Sequence, residues 1–240
     1  MLNKASDFVG SYDLINSRPD ETEAENAILW TLQNCLLNRE LGLEDEFKAQ
    51  VDVLVEAIDK CRIKPGFFHQ TPVHHDRPFR QKDGYMSPDQ LITIFLAGYL
   101  FEGTHEKAIW HTEIWQEIKN QGYLRYNNLE DGKNRWIHPR DLALYFACNN
   151  PTLGQLALVI LALANVVACK NDRSVTSGKL LAWTKMLALS DEFFVMKWAW
   201  KTCTKIVNKI HGTWADVFKV YFPIQGHPNA NMAKKLYEIQ

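Results

Sequence analysis

The stretch Glu44–Gly66, EDEFKAQVDVLVEAIDKCRIKPG, decides the fold class. Phe47, Val51, Leu54, Val55 and Ile58 fall at i, i+4, i+7, i+8 and i+11, which is one apolar stripe along a helix. Acidic residues crowd its start, and Pro65-Gly66 is the expected stop. The same grammar recurs on both sides. Upstream, Thr22-Glu23-Ala24-Glu25 has the spacing of a capping box, and the apolar run from Ala27 through Trp30, Leu32, Cys35 and Leu36 predicts a helix ending near Leu37. Downstream, Ser87-Pro88-Asp89-Gln90 sets serine at the N-cap, proline at N1 and glutamine at N3 of a helix that runs to about Gly103.

Further helices are predicted over His105 to Asn120, His138 to Cys148, Pro151 to Cys169, Ser177 to Leu189, Ser190 to Ile210, Trp214 to Tyr221 and Asn229 to Ile239. Tyr123 to Ile137 reads as a polar connection with a turn at Asp131-Gly132, and no segment reads convincingly as a strand. The expectation is a single all-α domain, 1–240, of about ten helices in antiparallel hairpins. Such hairpins can stack as a bundle, curve into a solenoid or close into an α/α toroid, complete or incomplete.

Composition narrows the function classes. At 240 residues with 46% hydrophobic and 23% charged residues, the chain can bury a sizeable core. A formal net charge of -1 argues against a broad basic face for nucleic acid. Lys197-Trp198-Ala199-Trp200-Lys201 reads as a packed face with lysines at its edge. The five cysteines, at 35, 61, 148, 169 and 203, form no CxxC pair and read as buried thiols in a reducing compartment. The N-terminal residues lack the apolar core of a signal peptide, and the apolar run 156–169 is short for a membrane span. A soluble, intracellular protein is expected, at least when it is made.

Between the second and third helices lies Lys64–Gln90, KPGFFHQTPVHHDRPFRQKDGYMSPDQ, a connection long enough to suggest function. Its Phe, His, Tyr and Pro content predicts an ordered loop, pinned by Phe67, Phe68, Phe79 and Tyr85. His69, His74, His75, Asp76, Arg77 and Arg80 would then be displayed. Imidazole and carboxylate suit zinc, manganese or iron, but the spacing matches none of the stronger zinc signatures. Recognition of an acidic or polyhydroxylated ligand fits better, because arginine offers bidentate donors and histidine moves protons near pH 7.

Asp89, in the positive first turn of its helix, is a candidate anchored carboxylate. Glu25 is a second, and the two would form a glycosidase-type pair if they faced each other. His138, Arg140 and Asp141, with Tyr126 shortly before them, supply residue types that a polysaccharide lyase uses on a uronate. His227 precedes a helix in the same way. His105 and His111, six apart on one predicted helix, cannot share a face. No GxSxG, Walker A, GxGxxG or HExxH occurs.

Three pieces carry a resemblance: Glu25-Asn26 at the first apolar helix, Pro65-Gly66 followed by Ser87-Pro88-Asp89-Gln90, and the late His227-Pro228. Together they resemble a group of uncharacterised helical proteins encoded by phages and environmental viruses. The resemblance spans most of the chain and brings no established activity. It implies a viral or prophage context, with the cytoplasm of the host cell or a virion as the location, and a domain that looks like the α/α-toroid enzymes acting on glycans. This chain has one acid at its Ser-Pro-Asp-Gln helix start, so paired acids there are not expected.

The leading expectation is a glycoside hydrolase or polysaccharide lyase without cofactor or bound metal. Asp89, Glu25, His75 and His138 would be catalytic, and His74, Arg80, Tyr85, Gln90, Tyr126, Arg140 and His227 would contact a polysaccharide or oligosaccharide. No nucleic-acid or membrane partner is expected. The alternatives are a non-enzymatic phage structural or interaction protein and, third, a metal-dependent hydrolase.

Overall fold

A computed structural model describes residues 14, 27–68, 88–103, 105, 108–122, 125–127, 134–137, 139–149, 151–168, 183–189, 194–210 and 212. Eight helices and two short hairpins make up this part, and the class is all-α. The chain divides between Tyr145 and Phe146 into two compact units.

In the unit 5–145, α1 (Ala27–Glu40) and α2 (Glu44–Cys61) form a hairpin. Gly42, at φ 70°, takes the left-handed conformation that lets the chain turn. Its N–H and that of Leu43 close the end of α1 on Arg39 and Asn38 carbonyls at 3.1 and 2.9 Å. Glu44, Asp45 and Glu46 sit where the α2 dipole favours negative charge. Across the hairpin, Asn34 and Asn38 both donate to Gln50 Oε1, at 2.6 and 3.2 Å. The stripe read from the sequence is the buried face: Val51, Leu54, Val55 and Ile58 are inside, joined by Ala57 and Cys61. Phe47, half-buried, meets Phe101 with ring centroids 6.1 Å apart.

α1 and α3 (Pro88–Phe101) are buried along most of their described length and pack on each other at the centre of this unit. α4 (Trp110–Asn120) covers α3 with Trp110, His111, Ile114, Trp115 and Ile118. The approach is close at Gly98, where an added Cβ would stand 2.7 Å from the His111 backbone nitrogen. α5 (Pro139–Asn149) joins through Tyr145, edge-on to Phe95 at 4.8 Å.

Three sequence expectations need correction here. α2 ends at Cys61, four residues before Pro65-Gly66. Arg62–Lys64 (β1) instead pairs antiparallel with Phe67–Phe68 (β2), and Pro65-Gly66 is the turn between them, with Gly66 at φ 77°. The stretch 123–137 likewise contains a hairpin, Arg125–Asn127 (β3) against Asn134–Trp136 (β4), with Tyr126 opposite Arg135. Strands of two or three residues are too short for alternation to show. α4 also begins at Trp110, five residues later than His105. The expected helices at 214–221 and 229–239 lie outside the described residues.

In the unit from residue 146, α6 (Pro151–Ala168) packs on α8 (Phe194–Ile210), and 183–188 form a short helix, α7. Lys185 of α7 is buried, its Nζ 5.5 Å from the centre of the Trp200 ring. α6 lies so close to the preceding residues that a Cβ on Gly154 would overlap the backbone of Ala147. Gly154→Ala should therefore destabilise the protein by about 1–3 kcal/mol, despite alanine's better helix propensity. Urea denaturation of the two proteins checks this.

Candidate functional site

The long connection singled out above starts from a hairpin that is fastened to α4. Arg62 Nε donates to Glu113 Oε2 at 2.9 Å, and its Nη2 donates to Glu113 Oε1. The Gly66 backbone N–H adds a third hydrogen bond to Oε2, at 3.2 Å. Glu113 is largely withdrawn from water, which strengthens a forked pair of this kind. Gly66 itself rests on α4, since a Cβ there would meet the Glu113 carbonyl oxygen at 3.0 Å. Lys64 Nζ lies 4.3 Å from the centre of the Phe67 ring, and Phe68 is buried. The other end of the connection is the start of α3, with Pro88 as its first residue, as the sequence predicts.

Of the candidate catalytic and substrate-binding residues, only Gln90 has a described side chain, and it is 2% exposed. Asp89 and Arg140 lie in the first turns of α3 and α5, and Tyr126 lies in β3. The side chains of these three lie outside the described residues. Glu25, His74, His75, Arg80, Tyr85, His138 and His227 lie wholly outside them. Asp141, also in the first turn of α5, is 1% exposed. Its polar neighbourhood was legible in the sequence; its burial was not.

The titratable constellation that sequence reading passed over is at the α3–α4 seam. His105 precedes α4 rather than belonging to it, and its Nε2 is 4.0 Å from Asp52 Oδ1. His111, in the first turn of α4, is 9% exposed, and its ring meets those of Phe95 and Tyr99 edge-on at 6.3 and 6.0 Å. Nε2 lies 3.2 Å from Thr112 Oγ1 and 3.4 Å from Glu102 Oε2. Nδ1 is buried without a hydrogen-bond partner among the described residues. Burial pushes the His111 pKa below the usual histidine value, and the Glu102 carboxylate only partly opposes it. The signal available beforehand was His111 beside Trp110 and Ile114 on the apolar stripe.

The described thiols are unbridged. Cys35, Cys61 and Cys203 are buried, as expected, and Cys148 is half-buried. Burial raises all three buried thiols, Cys203 to about 12. Among the described residues, no three His, Cys, Asp or Glu side chains converge to hold a metal ion. No described helix is long and apolar enough to cross a membrane.

Comparisons with protein-family models, with curated proteins and with solved structures return no match.

His111 has a definite pH signature. Its folded pKa lies below its unfolded value of about 6.5, so the unfolded chain takes up the proton more readily. Its contribution to stability is full above that value and is lost as pH falls below it, levelling off under the folded pKa. Urea midpoints at pH 7.5 and 5.5 should therefore diverge more in wild type than in His111→Gln.

Proposed function

We propose that the protein is a carbohydrate-active enzyme, a hydrolase or lyase, whose working groups stand at helix starts in the unit 5–145. The observation that carries this reading is the contrast between helix bodies and helix beginnings. α1 and α3 are apolar along most of their length, whereas the first turns of α3 and α5 carry Asp89, Gln90, Arg140 and Asp141. A carboxylate kept as deeply inside as Asp141 costs free energy unless the positive helix end and hydrogen bonds offset it. A carboxylate buried at a helix start in this way is a candidate for function. Asp89 and Glu25 are the proposed acid and base, with His75 and His138 moving protons or stabilising charge. The viral or phage setting rests on the sequence resemblance alone.

A non-enzymatic interaction protein is the second reading, and one observation favours it. α6 exposes Leu153, Leu156, Ile160 and Val167, and α8 exposes Trp198. The expectation of a packed Trp198–Trp200 face holds for Trp200, which is buried, and not for Trp198.

A panel of neutral and uronate-containing oligosaccharides separates the two. On the catalytic reading one glycan is cleaved, and Asp89→Ala, Glu25→Ala and His75→Ala each lower kcat/KM about a hundredfold or more. Their melting temperatures should stay near that of wild type. Absence of both cleavage and binding across the panel, or full activity in all three variants, removes the catalytic reading.

A further inference from the structure

We propose that the outward face of α8 binds single-stranded nucleic acid, its lysines following the phosphates and Trp198 stacking on a base. The proposal is independent of the catalytic reading, and its test uses oligonucleotides where that reading is tested on glycans.

α8 has two sides of opposite character. Met196, Ala199, Trp200, Cys203 and Val207 are buried. Lys197, Lys201, Lys205 and Lys209 are all exposed and recur every fourth residue. At 100° per residue the lysines sweep about 120°, centred nearly opposite the buried strip. Each lies one turn from the next, about 6 Å further along the axis. Trp198 falls within the same sweep and is 63% exposed. From Phe194 to Ile210 there is no Asp or Glu to neutralise the row. Among the described residues, no carboxylate elsewhere pairs with Lys201, Lys205 or Lys209.

The row belongs to a basic half of the chain. Residues 146–240 hold eleven Lys and Arg against five Asp and Glu, whereas the first 145 hold 16 against 23. The formal charge of -1 thus conceals a half at +6 and a half at -7. The expectation of no nucleic-acid partner rested on the charge of the whole chain, which averages these unlike halves. Lysines clustered along one helix of a basic segment are the electrostatic footprint of a nucleic-acid contact.

Charge complementarity and Trp198 select the occupant. A basic helix that rests on a membrane sinks its apolar face among the lipids, but that face of α8 is already inside the protein, where the helix packs on α6. The row must therefore meet its partner through charge and one exposed ring. Carboxylates are best gripped by the planar fork of arginine, and α8 has none. Lysine is a point charge that suits a phosphate backbone held without fixed register. An indole set among such lysines is the platform on which an unpaired base stacks, whatever its identity. In a duplex the bases are stacked on each other, so a single strand fits.

Fluorescence anisotropy with a labelled oligothymidylate of about 20 nucleotides tests this. Wild type should bind, with a log–log salt slope of about -2 to -3, as expected for three or four phosphates neutralised on a single strand. Replacing Lys201, Lys205 and Lys209 together by Gln should weaken binding at least tenfold and flatten the slope by about 2. Trp198→Ala should weaken binding about fivefold or more and leave the slope as it was. All these side chains are exposed, so the melting temperatures should match. No binding by wild type at about 50 mM salt overturns the proposal, and so does unchanged affinity in either variant. Polyglutamate, polygalacturonate or phosphatidylserine vesicles bound as tightly as the oligonucleotide would also overturn it, in favour of an acidic protein, an acidic glycan or a membrane. Should the triple variant fail to fold, Lys205→Gln decides: a slope shallower by about 0.7 supports the proposal, and an unchanged one overturns it.

Discussion

The fork between Arg62 and Glu113 joins residues 51 positions apart and settles how the front of the chain is arranged. It closes the hairpin after α2 onto the first turns of α4 and so fixes where Phe68 hands the chain on. A carboxylate this sheltered must be matched by a cation or lose free energy, and Arg62 supplies two parallel donors where lysine would supply one point charge. α3 then returns against the same helix, with Gly98 allowing α4 to sit at backbone distance. Fork and glycine together make α4 the plate on which the elements flanking 69–87 are mounted.

How much of this was legible depends on the range of the cause. The α2 stripe, the Pro88 helix start and the long α6 were readable because the signals are local and repeat over several turns. The end of α2 was misjudged for a physical reason. Pro65-Gly66 is a strong local stop, but the helix yields earlier, where Arg62 turns extended to reach Glu113. That partner lies on another helix, and no window of sequence contains both. The β3–β4 pairing was missed because three residues a side is barely more than one period of alternation.

The candidate site divides the same way. Residue type and helix-start position drew attention to Asp141 and Gln90, and both proved to be deeply buried. Read from the sequence, His111 was an ordinary surface or core histidine, and nothing local announced the carboxylate beside its outer nitrogen, which comes from Glu102 just past the end of α3. The apolar character of α6 was plain in the sequence, and a fully enclosed helix was the natural inference from it. Only the packing shows that one strip of it faces outward.

The unbridged sulfurs of Cys35, Cys61 and Cys203 have a practical consequence. Held as neutral thiols with almost no contact with solvent, they are shielded from alkylating reagents and oxidants while the helices around them stay closed. Cys35 and Cys61 sit in one compact unit and Cys203 in the other, so the rate at which each is modified is a separate clock for the opening of its own part of the molecule.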